Sequence, residues 1–145
     1  MKLMDWKTIY SRMMIMVVLA MAACTTNNGD IGPWFGMWKV TEIKCDGVSE
    51  DQYAGNMFFK FQSTVFEEVV VSEHHAVGEE IGQWRSDQPG RLVVWFPDER
   101  YAPDAQSHMS REENVFTYDA VRASGFTLTL KAKDGHTYQY TLVKW

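Results

Sequence analysis

The residue types that could do chemistry are sparse in this chain, and their spacing argues against most chemistries. There are four histidines, and only His74 and His75 stand close together. With Glu73, Glu79 and Glu80 they could be written as a metal-ligand set, but neighbouring residues on a strand point to opposite faces. Neither an H-E-x-x-H pair nor a paired C-x-x-C occurs, so this stretch reads as a solvated loop and no metal is expected. Asp98, Glu99 and Asp104 do not follow the spacing of a calcium loop and read as solvated acids. No G-x-S-x-G, phosphate-cradling glycine loop or dinucleotide fingerprint is present, and Ser124-Gly125 is explained by a turn. The sequence therefore predicts no catalytic residue, no cofactor and no enzyme.

Two features could still make a binding site. Glu67 shares a strand face with Val65, Val69 and Val71. Turned inward, its carboxylate would bind a cation, a ligand hydroxyl or an arginine such as Arg122. A different register, or a bulge, would turn it out to solvent. The second feature is an aromatic supply: Trp38, Phe59, Phe61, Trp84, Phe96, Phe126, Tyr138 and Tyr140 fall on faces assigned inward. They either fill a core or, where the top is left unfilled, line a pocket for an apolar ligand.

The elements that would position these residues follow an export leader. Lys2, Lys7 and Arg12 precede the apolar run Met13 to Ala23, the order of a secretory signal. The run is roughly half the ~20 residues a helix needs to cross a bilayer. Ala22-Ala23-Cys24 resembles a bacterial lipobox, with Met21 where such boxes usually have Leu, and this implies a lipid on Cys24. The expected division is residues 1–23 as a lipoprotein signal peptide, 24–33 as a flexible tether and 34–145 as one domain. The chain has two cysteines, so a lipidated Cys24 leaves Cys45 without an intrachain partner, as a small buried hydrophobe. The net charge of −5 becomes more negative without the basic leader, which argues against nucleic acid and against electrostatic docking on anionic lipid.

Within residues 34–145 the dominant signal is period-two alternation broken by turn residues. Phe126, Leu128, Leu130 and Ala132 alternate with polar residues, Asp134-Gly135 suits a type I′ turn, and Tyr138, Tyr140 and Leu142 alternate again. Pro89-Gly90 suits a type II turn. The long apolar stretch 57–71 is divided at Ser63-Thr64. The expected strands are 38–45, 57–62, 65–71, 80–85, 91–96, 115–121, 126–132 and 137–143. Residues 97–114 form a long loop with a helical turn around 105–113. Eight strands and little helix predict an all-β fold, an eight-stranded antiparallel up-and-down barrel, with a β-sandwich as the alternative.

The segment FGMWKVTEI, with the triplet Gly36-Met37-Trp38 directly after the tether, resembles the opening of lipocalins and their calycin-type relatives. The ending DGHTYQYTLVKW strengthens a similarity to small lipocalin-like lipoproteins of Gram-negative bacteria. The resemblance implies that Trp38 plugs the barrel floor. It departs from larger lipocalins in lacking both a T-D-Y motif and the helix that follows their barrel. The expected function is a lipid-anchored envelope protein, at the outer membrane facing the periplasm or the cell surface. It would bind a small apolar or amphipathic ligand and touch the membrane through its lipid alone. The alternative is an envelope scaffold or inhibitor-like interaction protein with a solid core.

Overall fold

The computed structural model describes Tyr10 and residues 32–75, 77–103 and 108–145. Apart from Tyr10, the leader, Cys24 and nearly all of the expected tether lie outside the described residues. Of the chain's two compact units, the one spanning Pro33–Trp145 carries the sheet.

The strands are β1 (Gly36–Cys45), β2 (Val48–Ser49), β3 (Met57–Gln62), β4 (Val65–Val71), β5 (Val77–Gln88), β6 (Arg91–Trp95), β7 (Asn114–Thr117), β8 (Phe126–Lys131) and β9 (Thr137–Lys144). Every pairing is antiparallel, and each strand from β3 onward pairs with the next. β1 pairs with β3 on one side and with β9 on the other, which closes β1 and β3 to β9 into an eight-stranded barrel. The short β2 is an appendage on the end of β1. A bulge between Val40 and Glu42 lets β1 bend through this closure. The barrel, and not a sandwich, is the way this sheet hides its apolar face.

Alternation puts Trp38, Val40 and Ile43 of β1, Phe59 and Phe61 of β3, Leu92 and Val94 of β6, Leu128 and Leu130 of β8, and Tyr140 and Leu142 of β9 into one continuous core. Gly82 on β5 is required by packing. A Cβ there would lie 2.5 Å from the Trp95 carbonyl oxygen and 2.9 Å from the Phe96 ring, so the missing side chain lets Phe96 pack inward.

Several boundaries differ from expectation. β5 runs several residues beyond both ends of 80–85, because its ladder to β4 continues to Val77 and its ladder to β6 to Gln88. β7 stops at Thr117 instead of 121. Tyr118 leaves the ladder to pack edge-on against Trp34 at 5.0 Å and to share a hydrogen bond with Ser86 Oγ. The expected helical turn at 105–113 is absent over 108–113. A single 3-10 turn at Glu99–Tyr101 stands earlier in the loop, capped by Asp98, whose carboxylate accepts the Arg100 N–H.

The β8–β9 turn is not type I′, since Asp134 does not take a positive φ. Gly135 N–H donates to the Ala132 carbonyl and Gly135 itself sits at φ +89, so the connection is a three-residue loop ending in a left-handed glycine. Pro89-Gly90 does form a turn, with Gly90 at the φ of +77 that type II requires. The break at Ser63-Thr64 is a two-residue hairpin between β3 and β4.

Candidate functional site

The two ends of the barrel are built differently. At the end where β1 begins, Trp38 and Trp34 plug the floor. Trp38 Nε1–H donates to the Trp34 carbonyl at 2.8 Å, and the Phe126 ring meets both indoles edge-on. Phe61 and Trp84 complete the packing around Trp34. Outside the floor, the Lys144 ammonium sits 4.5 Å from the Trp38 ring centroid and donates to the Phe35 carbonyl. Trp34 was not singled out by spacing, because a residue just before the first strand carries no alternation signal.

The opposite end is open. The ends of β1, β3, β4 and β5, the 50–56 connection, Ala102 and His108 surround a cleft of about 740 Å³. Its apolar wall is formed by Ile43, Met57, Val70 and Ala102, with Tyr53 beside them. Its polar wall is acidic: Glu50, Glu68, Glu79 and Glu80 line it, and among the described residues no lysine or arginine does. The one imidazole is His108, which stacks on Tyr138 at 3.9 Å and places Nε2 3.3 Å from Glu50.

Glu68 is the inward carboxylate of β4, and only 2% of it is exposed. Of the two orientations open to Glu67, the structure takes the outward one, so Glu67 is not a cleft residue. Phe66, Glu68 and Val70 share the inner face, while Glu67 turns outward and pairs with Lys60 at 3.0 Å. Valine does not mark the inner face here, because an outer barrel face is half-covered by neighbouring side chains and tolerates it as well. Across the ladder Glu68 faces Glu80. Tyr53, half-buried, is a second polar feature: its hydroxyl donates to the Val40 carbonyl at 2.7 Å and accepts from Met57 N–H. Burial, with Glu68 adding its charge, pushes the Tyr53 phenol up to about 12. Tyr140 is raised by the same two causes in the same order.

The eight aromatics expected to face inward do so, but none of them lines the cleft. Trp38, Phe59, Phe61, Phe96, Phe126, Tyr138 and Tyr140 are buried and Trp84 is half-buried, all packed in the core or the floor. Cys45 is half-buried at the end of β1. His74 and His75 are exposed in the β4–β5 turn.

No protein-family profile and no curated protein matches this sequence. Solved structures do. A lipocalin-like protein from Bacteroides uniformis superposes with a TM-score of 0.60 at 18% identity, covering 79% of this chain and 100% of that one. The fold is lipocalin-like. An uncharacterized protein from Bacteroides eggerthii has the same architecture, with a TM-score of 0.57 at 15% identity over 77% of this chain and 99% of that one. At such identities the likeness concerns the lipocalin-like fold alone. In this barrel the open end carries the cleft and the tryptophan-plugged end is closed.

Proposed function

We propose that this lipocalin-like chain is a non-enzymatic binding module that takes a small amphipathic molecule into the open end of its barrel. The observation that carries the reading is the cleft itself. A volume of about 740 Å³ lies within the range of small-ligand sites, roughly 300–1,000 Å³. The aromatics fill the barrel beneath it, so a ligand sits on a packed floor. The lining sets the ligand's chemistry: an apolar portion lies against Ile43, Met57 and Val70, and a cationic or hydrogen-donating head meets Glu68 and Glu80.

Calorimetric titration of amphiphiles sharing one alkyl tail, with ammonium, hydroxyl or sulfate heads, tests this reading. Saturable one-to-one binding that favours the ammonium head is expected. A flat response across the series overturns it. The tryptophans lie away from the cleft, so their emission is a poorer readout than heat.

The leader supports a location. With a lipid on Cys24, the domain would be held at the cell envelope, at the outer membrane facing the periplasm or the cell surface, and would touch the bilayer through that lipid alone. Metabolic labelling with a fatty acid should mark the wild-type protein and not Cys24→Ala. Labelling of both would remove the anchor from the account.

A further inference from the structure

Away from the cleft lining, three side chains able to bind a transition metal meet where β1 ends and the β8–β9 turn returns. Cys45 is the last residue of β1, Asp46 follows it, and His136 is the residue before β9. The Cys45 thiol, an Asp46 carboxylate oxygen and a His136 ring nitrogen all lie within 4.8 Å of one another. We propose that Cys45, Asp46 and His136 bind one divalent transition-metal ion of the zinc type.

The donor set selects the class of ion. A thiolate and an imidazole suit zinc and its neighbours, whereas calcium and magnesium take oxygen ligands. Tetrahedral zinc, with bonds of about 2.0–2.3 Å, sets its ligand atoms roughly 3.3–3.8 Å apart. His136 Nδ1 and Asp46 Oδ2 now share a hydrogen bond at 2.6 Å, so they would separate by roughly 1 Å to admit the ion.

The scaffold holds the three groups in place without a metal. Asp46 N–H donates to the Thr137 carbonyl, and Asp46 Oδ1 accepts Thr137 N–H at 2.9 Å, which ties Asp46 to the start of β9. Asp134 accepts the His136 N–H at 2.8 Å and the Tyr138 hydroxyl at 2.8 Å, an outer partner that fixes the turn carrying the imidazole. Cys45 lies opposite Tyr138 in the β1–β9 ladder. Without a metal, His136 pairs with Asp46 and the Cys45 thiol hydrogen-bonds with Tyr138, whereas a single ion would engage all three groups at once. Asp46 and His136 are exposed and Cys45 is half-buried, so the fourth coordination position faces water and the ion can exchange. Bound there, it staples the seam that closes the barrel. Loading exchanges the thiol proton for the metal, which leaves Cys45 as a thiolate ligand with no change in oxidation state.

Cobalt(II) titration of the full chain carrying Cys24→Ala, under reducing conditions, tests the proposal, since Cys45 is then the sole thiol. One equivalent should bind with a thiolate-to-cobalt band in the near ultraviolet and the visible bands of a tetrahedral ion, and zinc should bleach both. Cys45→Ser should lose the ultraviolet band, and His136→Gln should weaken binding at least about ten-fold. The exposed substitutions His136→Gln and Asp46→Asn decide the question even if Cys45→Ser fails to fold. A titration without bands, a band that persists in Cys45→Ser, or wild-type affinity in His136→Gln and Asp46→Asn overturns the proposal.

Discussion

Glu68 on β4 and Glu80 on β5 are cross-strand partners, and both line the cleft at the open end of the barrel. Like charges placed directly opposite each other on one sheet face repel. Under the binding role proposed above, this acidic pair is the part of the cleft that selects a cationic head group.

Glu68→Gln and Glu80→Gln should therefore weaken binding of an ammonium-headed amphiphile. Loss of a charge-assisted contact amounts to about 1.5–3 kcal/mol, or roughly ten-fold or more in Kd. Glu67→Gln, outward on the same strand, should leave Kd unchanged. Calorimetry on the three variants checks this, and an effect of Glu67→Gln equal to that of Glu68→Gln would mean that the inner face of β4 has been misassigned.

Tyr53→Phe should destabilise the fold by about 1–3 kcal/mol, because the Val40 carbonyl and the Met57 N–H lose their shared partner. The phenol also gives a pH signature. Its folded value of about 12 is above the ordinary value of 10, so the neutral form is favoured by folding. The contribution is complete below pH 10 and is lost as pH rises from 10 through 12. Chemical denaturation across that window should show a decline in the wild type that is smaller in Tyr53→Phe.

Gly82→Ala should cost about 1–3 kcal/mol, since the new methyl meets the Trp95 carbonyl and the Phe96 ring and neither can move without disturbing β6. Gly47→Ala is a weaker comparison, because that turn glycine needs a positive φ although the space beside it is open. Thermal melts of the two variants separate packing from backbone strain, and an unchanged melting temperature for Gly82→Ala would contradict the packing described here.

Asn114, 5% exposed, pins the end of the long loop. Its Nδ2 donates to the carbonyls of Val94, Ser110 and Glu112, and its Oδ1 accepts Ser110 N–H at 2.7 Å. Asn114→Ala should cost about 1–3 kcal/mol per buried group left without its partner. It should also raise amide exchange at 109–113 before exchange in β8 or β9 rises. Uniform exchange across the barrel would show that the loop is not held locally.

The barrel was legible in the sequence because its strands announce themselves by alternation, and the 126–142 hairpin has the cleanest pattern and the expected inner face. What sequence hid follows from how barrels fill. Phe59, Phe61 and Tyr140 look the same on a strand whether they pack a core or line a pocket, and only closure decides their depth. Glu68 was passed over because the valines beside its neighbour looked like the inner set. Asn114 sat at a loop boundary, and Cys45, Asp46 and His136 meet only when β1 pairs with β9. Such convergence leaves no trace in local spacing.

The open end is the proposed ligand site, and the tryptophan floor is packing. Backbone and methyl NMR shifts during titration with an ammonium-headed amphiphile test it most directly. Saturable changes are expected at Ile43, Tyr53, Met57, Val70, Ala102 and His108, with Trp34, Trp38 and Phe126 unmoved. Changes confined to the floor or to the outer face of the barrel would contradict it.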